Sequence, residues 1–376
     1  MAFHLTDWLL LQYLRRLHAR DRRKRDLSQF DPAKVSAVLA VSTTGLGDTV
    51  LSTPAIHALK QAFPRAKIVG HVHEKYLALT AHHPDLDLVI PYRGTYNRRY
   101  KSFFSTIRAF RRERFDAVFI LHGNDPQAVP MAYLSGAPFL FRRPAVGKFD
   151  FLLSHPPGES EYFQEHAVIG RLKTVAMAGC PTHDLRLRLS PQAADREGFQ
   201  RILEALGVEK GTPLIAFQVG ASYPYKCWPP DHFQALGRAL LEKDPRRTIL
   251  ILGNKKEKRL ARRIRKGIQG RAFNLAGRLT LAQTLALILE ARLLVTNDTG
   301  PLHLAVALGT RTVSFFGPTD PALFGPLQDL ERHIVLYHKP DCLPCRGKRC
   351  RDPRCLAAIT VEEALKACED HLHARC

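Results

Sequence analysis

Short apolar runs that stop at turns rich in Gly, Asn or Asp recur along most of the chain. Stretches with helical spacing separate them. Val35–Val41 runs into the turn 42–48, and Leu51–Phe63 then has helical spacing, with Pro54 in its first turns, where a missing N–H is tolerated. Lys67–Val72, Leu88–Ile90 and Ala117–Leu121 read as further short strands. The pattern restarts later. Leu214–Gln218, Thr248–Leu252, Leu293–Thr296 and Thr312–Phe316 read as strands, each ending at a Gly or an Asn-Asp pair. Asp231–Leu241, Leu281–Ala291 and Pro301–Leu308 read as the helices between them. Strands alternating with helices predict an α/β chain with parallel sheets covered on both faces. Two such series predict two doubly wound, Rossmann-like domains facing a cleft, with ligands bound beyond the carboxyl ends of the strands.

The segment Cys180–Pro191 has no helical period and is bounded by prolines, which predicts an interdomain connection carrying at most one edge strand. Residues 3–17 hold Phe3, Leu5, Trp8–Leu11, Tyr13, Leu14 and Leu17, much of the set at helical spacing, and Arg15, Arg16, Arg20, Arg22, Arg23, Lys24 and Arg25 follow. Such a helix suits an anionic membrane surface, and it equally suits packing on the protein's own core. The expected organisation is an N-terminal amphipathic basic helix over 1–30, a first domain over 31–180 and a linker over 181–192. A second domain then covers 193–340, and a Cys-rich loop with a C-terminal helix covers 341–376.

Composition adds two things. With 376 residues, two cores are the natural expectation. Lys and Arg number 56 against 35 Asp and Glu, a formal +21, which favours polyanionic partners: phosphorylated substrates, an anionic membrane or nucleic acid. No RNA- or DNA-binding motif accompanies that charge. No run of eighteen apolar residues predicts a spanning helix. Asp7 near the start, and arginines placed after the apolar stretch, run against a secretory signal. The eight cysteines are therefore expected in a reducing compartment.

Three turns hold the candidate chemistry. Gly45 and Gly47 permit a tight turn and close approach of a ligand, and Asp48 follows at a helix start. That Asp is either a helix cap or a general base at the mouth of a strand. In Val295–Ala305, Pro301 near the helix start and backbone N–H groups at Thr299 and Gly300 make an anion cradle. Asp298 or Thr299 is expected to cap the helix, and His303 adds a donor. In Val219–Pro229, Lys226 offers a point charge to a leaving phosphate, and Trp228 braces the loop.

Together these strings resemble glycosyltransferase family 9, the heptosyltransferases of lipopolysaccharide core assembly. The match runs through Gly47-Asp48, Thr53-Pro54-Ala55, Leu59-Lys60, Phe63-Pro64, Lys226–Pro229, Asn274–Gly277, Asp298–Ala305 and Phe316–Pro321, over about residues 36–326. The resemblance implies a GT-B fold and inverting transfer of a heptose from ADP-heptose to a lipopolysaccharide core acceptor, Kdo–lipid A or an inner-core heptose. No metal is required for that catalysis. It implies Asp48 as general base, Lys226 at the diphosphate, and Gly47, Ser222, Glu257, Asp298, Thr299, Gly300 and His303 as donor-binding positions. It also implies a cytoplasmic enzyme, peripheral on the inner membrane.

Arg93, Arg98, Arg99, Lys101, Arg142 and Arg143 are candidates to grip an anionic acceptor, with Arg98, Arg99 and Lys101 foremost; the alternative is a solvated charge run. Cys342, Cys345, Cys350 and Cys355 have a spacing that suits a structural zinc, free or redox-linked thiols, or disulfides. Three other functions stay open: another GT-B enzyme such as a sugar-nucleotide epimerase, a nucleic-acid-binding protein, and a relative without activity.

Overall fold

The computed structural model describes residues 5–21, 26–94, 96–122, 125–143, 147–155, 165–339, 342, 347 and 350–373, with the side chains of 5–7 and 96–100 left out. The chain divides into two compact units, Met1–Ser190 and Pro191–Cys376.

The first unit is built on five parallel strands: β1 (Ala37–Ser42), β2 (Lys67–His73), β3 (Leu88–Tyr92), β4 (Ala117–Ile120) and β5 (Phe139–Arg142). Their order is β3-β2-β1-β4-β5. Every residue of β1 and β4 is buried, as central parallel strands covered on both faces require. The helix Tyr96–Glu113 turns Phe103, Ile107 and Phe110 into this core, a spacing of four and three that puts them on one helical face. The N-terminal helix Leu5–Ala19 adds Leu14 to the same core.

The second unit has six parallel strands: β6 (Leu214–Gln218), β7 (Thr248–Leu252), β8 (Ala272–Asn274), β9 (Leu293–Asn297), β10 (Thr312–Phe316) and β11 (His333–Tyr337). The order β11-β10-β9-β6-β7-β8 places the first strand of the unit beside its fourth. The same holds for β1 and β4 in the first unit. Each sheet is therefore doubly wound with a topological switch point, at β1/β4 and at β6/β9. The C-terminal helix Val361–His373 is not an appendage. Ala364, Ala367, Cys368 and Leu372 are buried in the second core, and Arg247 holds Glu369 at 2.6 Å.

The helix expected over 51–63 forms as Thr53–Ala62, and a short helix, Leu46–Leu51, precedes it in the turn after β1. Pro54 sits in the first turn of the second helix, where its absent N–H costs nothing. The segment 180–191 forms neither helix nor strand and joins neither sheet, so the edge strand allowed for there does not form. Arg142, a candidate for the acceptor, is buried and faces Asp150 at 3.4 Å.

Candidate active site

In the first unit the turn after β1 carries Asp48 to the carboxyl edge of the sheet, at the switch point. Asp48 is the third residue of the helix Leu46–Leu51, whose N-cap is Gly45. Its Oδ2 accepts from the Gly45 N–H at 3.1 Å and from the Thr44 hydroxyl at 2.7 Å. The helix-cap role is therefore filled. Its Oδ1 accepts from the Arg171 guanidinium at 2.7 Å. Arg171 is itself buried, and also donates to Ser52 Oγ and to the Ala167 carbonyl. Burial acts to raise the Asp48 carboxyl, but Arg171, Thr44, His122 and the Gly45 N–H together outweigh it and hold the group below the usual carboxylate range. Asp48 is thus an anion at neutral pH, with a quarter of its side chain exposed (25%).

A second layer fixes that turn. The Thr43 N–H donates to His122 Nε2 at 2.8 Å, and the Thr43 hydroxyl donates to Asp125 at 2.5 Å. His122 and Asp125 follow β4, so the two strands of the switch point are tied together beneath Asp48. Because His122 Nε2 accepts, its proton sits on Nδ1, which is buried without a partner among the described residues. Burial pushes the His122 imidazole down to about 4, and His71 likewise.

In the second unit the turns after β6 and β9 meet. Lys226 Nζ donates to Asp298 Oδ2 at 2.8 Å, joining the two turns across the switch point. Asn297, which carries no signal of its own in the sequence beyond closing a strand, stitches the same turns. Its Nδ2 donates to the Val219 carbonyl at 3.1 Å, and its Oδ1 accepts from the Trp228 N–H at 2.8 Å. Trp228 is buried, stacks on Phe315 and donates to the Ile359 carbonyl, so it braces the loop as expected.

Thr299 is the N-cap residue of the helix Gly300–Leu308 but makes no side-chain cap. Asp298 is turned to Lys226 instead, so neither supplies the expected cap. The amino end of this nine-residue helix, with its partial positive charge, therefore lies next to the Lys226 ammonium. His303 is buried one turn further on, and Ser222 is exposed on the β6 turn. Glu257 lies across the ends of β6 and β7. A Cβ on Gly220 would meet its Cδ at 2.1 Å, which explains the glycine there. Burial pushes the Glu257 carboxyl up, against hydrogen bonds from Asn254 and Gln218.

Of the other candidates, Gly47 lies in the Asp48 helix and Lys101 is exposed on the helix Tyr96–Glu113. The side chains of Arg98 and Arg99 lie outside the described residues. Cys345 also lies outside them, and Cys342 is exposed while Cys355 is packed in the second core. Among the described residues no three His, Cys, Asp or Glu side chains converge to hold a metal, so the zinc reading gains no support.

A cavity of about 790 Å³ opens at the opposite, amino edge of the second sheet, lined by Lys210, Arg246, Arg247, Arg271 and Arg292 among others. All four of these arginines are engaged there, Arg246 with Asp244 at 2.9 Å. Arg247 donates to the Leu240 carbonyl, Arg271 to Thr248, and Arg292 to the Leu372 carbonyl. Arg247 and Arg292 thereby satisfy the carboxyl ends of two helices. The candidate residues Asp48, Lys226 and Asp298 stand instead at the carboxyl edges of their sheets.

Comparison with known proteins finds a single family. The model of glycosyltransferase family 9 (heptosyltransferase) matches residues 160–355. The chain is 27% identical over 328 residues to lipopolysaccharide heptosyltransferase 1 of Pseudomonas aeruginosa, covering 83% of this chain and 87% of the relative. It is 28% identical over 326 residues to lipooligosaccharide heptosyltransferase 2 of Haemophilus ducreyi, covering 77% and 86%. Among solved structures, a family 9 glycosyltransferase from Veillonella parvula superposes with a TM-score of 0.77 at 21% identity, covering 90% of this chain and 98% of that one. An E. coli heptosyltransferase solved with ADP superposes at 0.65 and 22% identity, covering 89% and 99%.

Proposed function

The chain belongs to glycosyltransferase family 9, the heptosyltransferase family, with its GT-B fold, and from that membership we propose that it moves a heptose from ADP-heptose to an anionic, lipid-linked core acceptor of lipopolysaccharide, with inversion at the anomeric carbon. The observation that carries the reading is the Lys226–Asp298 pair at the switch point of the second sheet, beside the amino end of the helix Gly300–Leu308. An ammonium and a helix amino end form an anion site built for a diphosphate. In this unit Thr299, Gly300, Ser222 and His303 face the donor, and Glu257 is set at the strand ends for the ribose.

In the first unit Asp48 acts as the general base. The acceptor hydroxyl loses its proton to the Asp48 carboxylate as its oxygen forms the bond to the anomeric carbon. The bond from that carbon to the donor's phosphate oxygen breaks, and the electron pair leaves with ADP, whose new charge Lys226 and the helix end stabilise. Lys101, with Arg98 and Arg99, is proposed to meet the charged groups of the acceptor. The reaction belongs at the cytoplasmic face of the membrane that carries such an acceptor. Among the described residues no helix is long and apolar enough to cross it.

Thermal melting of the purified chain with ADP, UDP, GDP, CMP and ADP-heptose tests this. A ligand at a hundred times its dissociation constant adds about 2.7 kcal/mol to stability. Stabilisation confined to ADP and ADP-heptose, and lost in Asp298→Ala, is the expected result. Stabilisation by UDP or GDP alone replaces the donor, and no response to any nucleotide removes the donor site.

A further inference from the structure

The helix Leu5–Ala19 has two apolar faces where one would suffice. Its inner face is spent on the first unit. Leu14 is fully buried and Leu11 nearly so, with Leu10 and Leu17 packed alongside. His18 meets Tyr133 and Phe151 edge-on at 5.9 and 5.5 Å, and the Arg15 guanidinium carbon lies 6.0 Å from the centre of the Phe151 ring. These contacts fix the rotation of the helix about its axis. At 100° per residue Leu9, Arg16 and Arg20 then fall opposite the buried face, with Trp8 and Tyr13 at the two edges of that outward side.

All five are exposed there. Trp8 is 47% exposed, Leu9 53% and Tyr13 56%, and the two arginines stand beside them. These three are among only seven large apolar side chains so exposed in the described chain. Scattered exposed residues need no explanation, but three on one helical face do. Nothing in the core asks for them, since Leu11 and Leu14 already anchor the helix.

We infer that this outward face is a docking surface for an anionic lipid bilayer. The chemistry has two parts, and a bilayer interface satisfies both. Trp and Tyr each present an apolar body and a polar tip, which suits the headgroup boundary, and Leu9 between them reaches toward the acyl region. Arg16 and Arg20 sit on the same side, where lipid phosphates lie, and complement their charge. A second protein surface would match the apolar residues but leave the arginines to find acids. A nucleic acid would match arginines and rings but gain nothing from Leu9. The helix precedes residues 160–355, which the family model matches, and carries none of the site residues, so the inference stands apart from the proposed reaction.

The chain has two tryptophans, and the other, Trp228, is 1% exposed. Trp8 fluorescence therefore reports on this face above a constant background. The full chain is titrated with phosphatidylcholine vesicles and with vesicles in which phosphatidylglycerol replaces part of the phosphatidylcholine. Sedimentation with the vesicles is measured in parallel. The expected result is binding and a blue shift with the phosphatidylglycerol vesicles alone. Binding should fall on the order of tenfold or more in the combined Trp8→Ser, Leu9→Ser, Tyr13→Ser variant, and weaken in Arg16→Gln with Arg20→Gln. A melting temperature and far-UV circular dichroism unchanged from wild type, measured without vesicles, show that the variants are folded. Equal vesicle binding by folded variants overturns the inference. So does loss of a dimer in the triple variant without loss of vesicle binding, or displacement of the chain from vesicles by a random oligonucleotide that binds through the same residues.

Discussion

The two units carry the same motif with its polarity reversed. Each places an aspartate in a turn at the switch point of a parallel sheet and pairs it with a cation, Asp48 with Arg171 at 2.7 Å and Asp298 with Lys226 at 2.8 Å. In the first unit the cation is the buried member, 1% exposed against 25% for its acid. In the second the acid is the more buried, 10% against 24% for its lysine. One fold therefore offers a carboxylate in one unit and an ammonium in the other. The first is suited to take a proton, the second to hold a departing phosphate. Arg suits the buried role because its fork serves Asp48, Ser52 and the Ala167 carbonyl at once; Lys suits the exposed role because it is a point charge on a flexible stem.

The sharpest way to break the comparison is to remove the proton acceptor. Asp48→Asn keeps an oxygen for Arg171 but cannot take a proton, so transfer should fall roughly 10²- to 10⁴-fold while ADP still stabilises the protein. Retained transfer in a folded Asp48→Asn protein would mean that the carboxylate only caps its helix.

Arg171→Met attacks the other member. It leaves Asp48 without its buried partner and should cost about 3 kcal/mol, read by urea denaturation. It should also move the acidic limb of the kcat/KM profile to higher pH, because the charge that holds the Asp48 carboxyl low has gone. Arg171→Lys should recover part of both. A purely structural pair would lose stability with no movement of the pH profile.

A smaller effect concerns acid stability. The imidazoles of His71, His122 and His333 are pushed down to about 4 by burial, from an ordinary 6.5. The unfolded chain protonates them near 6.5 and the folded chain does not, so unfolding takes up protons in that window. Stability is then greatest above 6.5 and falls as pH drops toward 4. The depressed Asp48 carboxyl adds in the same direction, its contribution fading only as pH falls further, through its lowered value. Melting temperatures at about pH 7.5 and about pH 5 check the sign, which should favour the higher pH.

Much of this frame was legible because it rests on local patterns. β6, β7 and β10 coincide with apolar runs bounded by turn residues, and Asp48, Lys226 and Asp298 stand in the turns that such runs define. What stayed hidden depends on contacts remote in sequence. Arg171 lies 123 residues from Asp48 and is one of 56 basic residues, with no local mark to set it apart. His122 meets Thr43 across 79 residues, and Trp228 meets Ile359 across 131. β8 has three residues and β5 four, too few for alternation to show. Asn297 was in view at the end of its strand, yet nothing local says that its amide would tie the β6 turn rather than cap the next helix.

The most direct test sets the two units against each other in one experiment: ADP affinity and transfer rate measured together for Asp48→Asn and Lys226→Met. The account predicts that Asp48→Asn binds ADP as wild type does but barely transfers, while Lys226→Met loses ADP affinity by about tenfold or more, the cost of one charge-assisted contact, along with rate. If Lys226→Met binds ADP undiminished, or if Asp48→Asn loses ADP and transfer in equal measure, the division into a base-bearing unit and a phosphate-holding unit is wrong.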